Sequence, residues 1–361
     1  MHRTPEEAAL IPLASDTETR PTDAMRRAIA AAEVGDEQRG EDPTVNRLQA
    51  RVAELLGKEA ALWFPGGTMC NLVAVRVHTR PGDAVLAEAM SHLIRDESAG
   101  AAVASGVLIE PIDTERGVIA PAQLAAALAR LATLPLPYGP PARLLCVEQT
   151  HNFGGGAVWA LAELQAACAL ARERGLAVHM DGARLMNACA ASGTPAADFA
   201  ACVDSVWLDF TKALGAPIGA VMAGSRDFIA QARRQKHVFG GAMRQAGIAA
   251  AGCLHALDHH VERLADDHEH ARLLAAGLAR LAGVRLRTPR PESNIVFFEV
   301  DGQPPDHAAF LAALRGQGVS MSAVRGGVRA VTHLDVSRAD VDRAIEAVGR
   351  VLDAAAGRVA S

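Results

Sequence analysis

The segment HMDGARLMNACAASGTPAADFAACVDSVWLDFTKALGAPIG, residues 179–219, decides how the chain folds. Asp181 comes just past the apolar run LAVHM, and Lys212 comes just past a second one, SVWLDF. Both runs are short and end in small or polar residues, which is typical of buried parallel strands. Open α/β sheets bind ligands at the carboxyl ends of such strands. The segment therefore predicts an α/β fold with a site near Asp181 and Lys212.

This pair of residues suits pyridoxal phosphate (PLP). A lysine amine can form a Schiff base with the PLP aldehyde, and a buried carboxylate can keep the pyridine nitrogen protonated. Lys212 and Asp181 are the candidates for these two roles. Each residue taken alone has a simpler interpretation, since Asp181 could cap a helix and Lys212 could lie on the surface. The surrounding pattern favours the cofactor.

Apolar segments and helical segments alternate along the chain on both sides of this stretch. The pattern predicts strands at 84–88, 107–111 and 143–148 and helices at 91–104, 120–132 and 160–174. Strands separated by helices of this length indicate βαβ units, a mainly parallel sheet and right-handed crossovers. One long helix from Arg244 to about Leu281 should lead to a smaller α/β domain. We expect an arm at 1–22, a large domain at 23–250 and a small domain at 251–361.

A glycine turn is the candidate phosphate site. Gly67 and Thr68 lie between the apolar run AALWF and a helix from about Asn71. Backbone N–H groups at a helix start, together with the helix dipole, attract phosphate. The hydroxyl of Thr211, beside the lysine, could also bind it. A nicotinamide cofactor is disfavoured, because the glycine run at 154–156 lacks the GxGxxG spacing.

Composition excludes several classes of function. The formal net charge is −5 with acidic and basic residues intermixed, which argues against nucleic acid and anionic membranes and favours a small-molecule partner. Charges in MHRTPEEAALIPL and the lack of a long apolar run indicate a cytoplasmic protein. The six cysteines are far apart and should be reduced. His255 and His259 have i, i+4 spacing that could bind a metal, but a solvated helix face is favoured, so no metal is predicted.

Eight motifs along the chain resemble, in order, the low-specificity L-threonine aldolases. Those are fold-type I PLP enzymes, like the aspartate aminotransferases, and are related to the β-eliminating lyases. The resemblance runs from Ser15 to about Ser337 and implies a mainly parallel seven-stranded sheet. The motifs are SDTETRPT, VGDEQRGEDPTVN, PGGTMCN, EQTHN, HMDGARLMNA, DFTKALGAPIG, GGAMRQAG and RAVTHLDVS.

The resemblance implies roles for residues around the cofactor. His92 matches the histidine that stacks over the pyridine ring. Arg244 matches an arginine that reaches the phosphate from the neighbouring subunit, which implies a homodimer or homotetramer with a shared active site. The resemblance also implies a second cationic residue at the phosphate. An ungapped match places His237 at that position, with Lys236 one residue earlier, so the resemblance leaves open which of the two contacts the phosphate.

The resemblance also implies the substrate contacts and the reaction. Arg184, Arg329 and Ser15 match groups that hold the substrate carboxylate, although Ser15 is equally suitable as a helix cap. His151 matches a histidine near the β-hydroxyl, so His151, His92 or a water between them should accept its proton. The implied reaction is retro-aldol cleavage of a β-hydroxy-α-amino acid to glycine and an aldehyde.

Four alternatives remain at this point, one of them a cofactor-free structural protein. The chain could be a β-eliminating lyase acting on serine-like or cysteine-like substrates, or a PLP-binding protein without turnover. It could also be an aldolase that prefers an acidic substrate. Arg39 stands where family members often have a tyrosine near the substrate, and the added cation could favour 3-hydroxyaspartate or could simply point to solvent.

Overall fold

The computed structural model describes residues 10–133, 137–302, 307–324 and 326–359. Residues 1–9 of the predicted arm lie outside the described residues. The chain divides into a large unit, residues 21–262, and a small unit, residues 1–20 with 263–361. The sequence analysis places the domain boundary at residue 250 and treats the arm separately. In the structure the division falls between Glu262 and Arg263, and the arm groups with the small unit.

The strands, in chain order, are β1 (Ile11–Pro12), β2 (Ala60–Phe64), β3 (Ala84–Glu88), β4 (Leu108–Ile112), β5 (Ala142–Glu148), β6 (Ala177–Gly182), β7 (Ser205–Asp209), β8 (Ala220–Gly224), β9 (Val284–Leu286), β10 (Ile295–Val300), β11 (Val319–Ser320), β12 (Ser322–Val324) and β13 (Gly327–Val331). The helices are α1 (Asp23–Ala30), α2 (Pro43–Leu55), α3 (Gly67–His78), α4 (His92–Arg95), α5 (Gly100–Ser105), α6 (Pro121–Leu131), α7 (Leu161–Glu173), α8 (Leu185–Ser192), α9 (Ala196–Ala201), α10 (Arg226–Val238), α11 (Gly247–His259), α12 (Leu264–Leu278), α13 (Ala308–Gly316) and α14 (Arg338–Val359).

The large unit is built on a seven-stranded sheet in the order β2-β8-β7-β6-β5-β3-β4. Strands β4, β3, β5, β6 and β7 run parallel to one another, and β8 pairs antiparallel with both β7 and β2. This confirms the mainly parallel seven-stranded sheet. Because the parallel strands run the same way, the ends of β3, β5, β6 and β7 bring Glu88, Glu148, Asp181 and Asp209 to one edge.

Helix α3 packs on this sheet and depends on a residue without a side chain. A Cβ on Gly67 would lie 2.2 Å from the ring of Trp207 in β7, closer than real contacts allow. Phe64, Val73, Trp207 and Met222 are buried in the same apolar cluster. The close approach places the start of α3 beside the strand that precedes Lys212. Gly67 is therefore needed for packing as well as for a turn.

The small unit has a four-stranded antiparallel sheet, β12-β13-β10-β9, and a short parallel pair of β1 with β11. Backbone hydrogen bonds therefore hold the arm, such as the one that Leu13 N donates to Ser320 O at 2.9 Å. Phe298 and Phe310 meet edge to face at 6.5 Å in its core. This agrees with the α/β C-terminal region expected from the sequence.

Two helices that were predicted to be continuous are each interrupted in the structure. The helix expected from Arg244 to Leu281 is two helices, α11 and α12, with a break after His259 that neither glycine nor proline marks. The helix expected at 91–104 is also two, α4 and α5. There Ser98 and Ala99 adopt positive φ angles of 52° and 58°, which ends a regular helix. Within the described ranges no helix combines the length and apolarity needed to cross a membrane.

Candidate active site

The chain contains three lysines, and the structure separates them clearly. Lys212 follows β7 at the carboxyl edge of the sheet, with Nζ 2.9 Å from Asp209 Oδ2 and 5.7 Å from the Trp207 ring centroid. Lys58 Nζ donates to Val203 O at 2.6 Å, before β2 begins. Lys236 lies in α10 and is almost fully buried. Only Lys212 of the three stands where a sheet of this type binds its ligand.

Asp181 lies in β6, next to β7, and is buried. Its Oδ2 accepts a hydrogen bond from Asn71 Nδ2 at 2.8 Å, and its Oδ1 accepts one from Ala183 N at 3.0 Å. Burial, assisted by Glu148, raises the pKa of Asp181 to about 6, while His92 and Lys212 act in the opposite direction. The carboxyl group is therefore ionised at neutral pH and becomes protonated as the pH falls below about 6.

His92 begins α4 and lies among the acidic side chains of Glu97, Glu148 and Asp181. Its Nδ1 is 2.9 Å from Glu97 Oε1, and its backbone N–H donates to Glu148 Oε2 at 2.8 Å. Burial alone would lower the pKa of His92, but Glu97 and Asp181 raise it to about 9. The ligand atoms of His92, Glu97 and Asp181 lie within 4.8 Å of one another, a spacing that would also suit a metal ion. The expectation of no metal stays a prediction.

His151 is buried. Its side chain is 1% exposed, Nδ1 accepts from Gly154 N at 3.0 Å, and Nε2 lies 3.0 Å from Glu88 Oε2. Burial alone would raise the pKa of Glu88, but His151 holds it below its ordinary value. Both ring nitrogens of His151 are thus engaged. The residue could accept a further proton only by giving up the hydrogen bond from Gly154.

Arg184 and Lys212 line one small cavity of about 10 Å³. Arg184 is buried, and its backbone N–H donates to Gln149 O at 3.1 Å. Ala183 lines the same cavity. The structure therefore places Arg184 and Lys212 around one small cavity.

The candidate phosphate residues surround the start of α3 and the end of β7. The N-cap residue of α3, Gly66, has no side chain that could cap the first N–H groups of the helix, which begins at Gly67, and Thr68 is exposed there. Thr211 donates through both its backbone N and its Oγ1 to Asp209 Oδ1, at 2.9 and 2.8 Å. The Thr211 hydroxyl is therefore turned toward Asp209.

The two candidates for the second cation at the phosphate, Lys236 and His237, differ in burial. Lys236 Nζ is 2.7 Å from Glu37 Oε1 and 5.0 Å from the Trp63 ring centroid, inside the protein. Burial lowers the pKa of Lys236, and the bond to Glu37 offsets part of that effect. His237 is exposed. Lys236 thus anchors the loop that carries Glu37, and His237 is the residue available to an external anion.

Arg244 and Arg39 meet at a single carboxylate. Arg244 Nη1 is 2.8 Å from Asp36 Oδ2, and Arg39 Nε is 3.8 Å from the same atom. Their side chains are 60% and 72% exposed. Such exposed ion pairs contribute little to folding, so both guanidinium groups can change partners at low cost.

Ser15 and Arg329 belong to the small unit and lie near each other. Arg329 Nη2 donates to Ala14 O at 3.0 Å. Ser15 Oγ accepts from Thr17 N at 3.2 Å and caps the short 3₁₀ turn at Asp16–Glu18. The alternative helix-cap interpretation of Ser15 therefore describes what its side chain does here.

Sequence analysis did not single out several acidic and amide groups of this site. Glu88, Glu148 and Asp209 end their strands as Asp181 nearly does, so the same positional argument could have found them. Glu97 was hidden inside a predicted helix, and Asn71 inside the glycine motif. Nothing local in the sequence marks those two as site residues.

Comparison with known proteins places the chain in a family. Residues 12–301 match the model of the β-eliminating lyase family. Low-specificity L-threonine aldolase 1 of Arabidopsis thaliana is 36% identical over 337 residues, which cover 92% of this chain and 93% of the relative. The low specificity L-threonine aldolase of Escherichia coli K12 is 39% identical over 329 residues, which cover 91% and 95%.

A solved structure agrees with the fold. The threonine aldolase of Leishmania major superposes with a TM-score of 0.81 at 22% identity, covering 94% of this chain and 99% of that one. The expected fold type and the resemblance to the aldolases are both confirmed. The chain belongs to the β-eliminating lyase family and, within it, to the low-specificity L-threonine aldolases.

Proposed function

We propose that this protein is a PLP-dependent aldolase that cleaves L-threonine, L-allo-threonine or a related β-hydroxy-α-amino acid to glycine and an aldehyde. One observation carries the proposal: Lys212 and Asp181 stand at the same edge of neighbouring strands, in a chain of the threonine aldolase family. The L configuration of the substrate rests on the family.

The groups at this edge fit PLP by their chemistry. Lys212 would hold the aldehyde, and the Asp181 carboxylate, ionised at neutral pH, would hold the proton of the pyridine nitrogen. The uncapped N–H groups at Gly67 and Thr68 would bind the phosphate, together with Thr211 and Arg244. His92 would lie against the ring. When bound, PLP supplies an aldehyde for the substrate amine and an aromatic ring that draws electrons from the Cα–Cβ bond.

The remaining residues orient the substrate and move its proton. Arg184 lines the cavity with Lys212 and would bind the α-carboxylate through its planar guanidinium group. Arg329 and Ser15 are proposed as further carboxylate contacts. The β-hydroxyl proton would pass to His92, His151 or a water between them. Because both nitrogens of His151 are engaged, and because the pKa of about 9 keeps His92 protonated at neutral pH, the water between them is the more accessible acceptor.

A substrate panel tests this proposal. The purified protein, supplied with PLP, would be given threonine, allo-threonine, 3-hydroxyaspartate, serine and cysteine, and all products would be quantified. We expect glycine and the matching aldehyde in equal amounts. Pyruvate and ammonia instead would identify a β-eliminating lyase, and no product from any substrate would indicate a PLP-binding protein without turnover.

Arg39 is the proposed determinant of any preference for an acidic substrate. Replacing it with tyrosine should lower kcat/KM for 3-hydroxyaspartate relative to threonine by roughly fivefold, since an exposed ion pair contributes at most about 1 kcal/mol. The ratio of the two kcat/KM values measures the effect. Arg234→Tyr, on the exposed face of α10, is the matched control. An unchanged ratio in the Arg39 variant would show that Arg39 only contacts solvent.

We also propose a homodimer or homotetramer with an active site shared between subunits. The exposure of Arg244 and His237 leaves both available to a neighbouring molecule. Lys212→Ala and Arg244→Ala proteins, each inactive at limiting PLP, should regain about a quarter of the wild-type rate when mixed and reassembled, since half of the dimers then contain one native site. No recovery from reassembled mixtures would place Arg244 and Lys212 in the same subunit's site.

A cytoplasmic location is proposed on the basis of the cysteines. All six are free thiols, and five of them are buried. Burial raises the pKa of Cys70, Cys146 and Cys253 well above the ordinary value, which makes these thiols unreactive. Reduced, unreactive cysteines are typical of a reducing compartment.

A further inference from the structure

Asn71 lies at the centre of a hydrogen-bond network that the proposed reaction does not yet use. The side chain is buried and its amide contacts four other side chains. Nδ2 is 2.6 Å from Glu97 Oε1 and 2.8 Å from Asp181 Oδ2. Oδ1 is 2.8 Å from Trp207 Nε1 and 3.2 Å from His179 Nε2. All the hydrogen-bonding capacity of this amide is used.

Trp207 fixes the orientation of the amide. The indole nitrogen of tryptophan can only donate, so the atom of Asn71 that faces it must be the carbonyl oxygen. The two N–H groups of Asn71 therefore point toward Glu97 and Asp181. Both carboxylates act as acceptors at those atoms, and neither can donate a proton back to Asn71.

The row of hydrogen bonds continues from Asn71 away from the site, through His179 and Ser205 to His78. Because Asn71 Oδ1 accepts, His179 Nε2 carries a proton and His179 Nδ1 accepts from Ser205 Oγ at 2.8 Å. Ser205 Oγ in turn accepts from His78 Nε2 at 2.8 Å. Burial lowers the pKa of His179 to about 3 and that of His78 to about 4, so both rings are neutral. Every donor in this row is directed toward the two carboxylates.

The fixed orientation of the Asn71 amide bears on which ring nitrogen of His92 carries a proton. Glu97 Oε1 accepts from Asn71 and is also 2.9 Å from His92 Nδ1. Glu97 Oε1 already accepts the Asn71 N–H group, and an ionised Glu97 offers only acceptor atoms, so His92 Nδ1 carries the proton of this hydrogen bond. Nε2 is then the nitrogen of His92 that gains or loses a proton. The side chain of Glu97 is fully buried, which keeps water from replacing it.

We propose that Glu97 is a positioning residue that holds His92 as an Nδ1–H donor, and that Asn71, oriented by Trp207, couples this pair to Asp181. The Asn71 amide thus connects two groups of the proposed cofactor site. It reaches His92, which would lie against the PLP ring, through Glu97, and it bonds directly to Asp181, which would face the pyridine nitrogen. The consequence for catalysis rests on the proposed function, whereas the proton positions do not.

The charged groups around His92 come from every neighbouring element. Glu97 follows α4, Asp181 lies next to the last residue of β6, Glu148 ends β5 and Lys212 follows β7. Glu97 and Asp181 raise the pKa of His92, and Lys212 lowers it. Replacing Glu97 with glutamine removes a negative charge and an obligate acceptor while keeping the shape of the side chain. The proton on His92 should then be held less tightly.

Nitrogen-15 NMR of the histidine rings tests the proposal, with the full-length protein studied as purified and after removal of bound PLP. The His92 signals are assigned from a His92→Gln variant. In the wild type, the neutral form of His92 at high pH should be the Nδ1–H tautomer, whether or not PLP is present. A neutral Nε2–H form would overturn the proposal, and this measurement needs no variant at position 97.

The variant supplies the second readout. Glu97→Gln should lower the titration midpoint of His92 from near 9 by about one pH unit or more, as loss of a neighbouring opposite charge does. Glu88→Gln removes a buried carboxylate that faces His151 instead, and it should leave the His92 midpoint unchanged. An unchanged midpoint in Glu97→Gln would contradict the role of Glu97. Glycine release is not part of either readout, so failure of the proposed aldolase activity remains distinguishable from failure of this inference.

Discussion

Replacing Lys212 with alanine should lower the rate of glycine release by a factor on the order of 10³ or more, because it is the one lysine of the three that lies at the carboxyl edge of the sheet. The other two lysines cannot substitute for it. Lys236 Nζ is buried against Glu37, and Lys58 Nζ donates to a backbone carbonyl before β2. Steady-state assays and the visible absorbance of bound PLP would both be measured.

The matched control for this variant is Lys58→Ala. It removes a lysine whose Nζ bonds to Val203 O, away from the carboxyl edge of the sheet. The control should keep the wild-type rate and the visible absorbance. A Lys212→Ala protein that retains more than about a tenth of the wild-type rate would refute the assignment of the catalytic amine.

Replacing Asp181 with asparagine should lower kcat/KM by roughly 10²-fold and weaken PLP binding, because a neutral amide cannot hold a proton on the pyridine nitrogen. The substitution preserves the size of the side chain. The wild-type protein should show a related pH effect. Because burial raises the pKa of Asp181 to about 6, its charge is lost as the pH falls through that value, and PLP affinity should fall with it.

Asp204→Asn is the matched control for this variant. Asp204 lies just before β7, at the opposite edge of the same strand pair, and its Oδ2 accepts from Val178 N at 2.7 Å. It should leave both PLP affinity and its pH dependence unchanged. Equal losses in the two variants would indicate damage to β6 and β7, and PLP affinity in Asp181→Asn that matches the wild type at all pH values would contradict the proposed role of Asp181.

Sequence reasoning succeeded where a property repeats along the chain. The apolar runs before Asp181 and Lys212 predicted buried parallel strands, and β6 and β7 lie there, side by side. Periodicity failed where a single residue sets the geometry. The positive φ angles of Ser98 and Ala99 divide a predicted helix and leave Glu97 buried at the break. No local pattern distinguishes that break from a continuing helix.

The partners of each side chain were the least predictable feature of the site. The sequence presented Lys236 and His237 as alternatives one position apart, and only packing shows that Lys236 is paired with Glu37 inside the protein. The sequence likewise placed His151 near the substrate, but not the carboxylate of Glu88 beside it. Such pairings join residues far apart in the chain, so they depend on tertiary contacts that periodicity does not encode.

Covalent trapping of the cofactor tests the central claim most directly. The purified protein would be incubated with PLP, reduced with sodium borohydride, digested and mapped by mass spectrometry. With three lysines in the chain, each possible attachment site is resolved. We predict that the phosphopyridoxyl group is found on Lys212 and is absent when the Lys212→Ala protein is treated in the same way. A label on Lys58 or Lys236, or no label on any lysine of the wild type, would contradict the account.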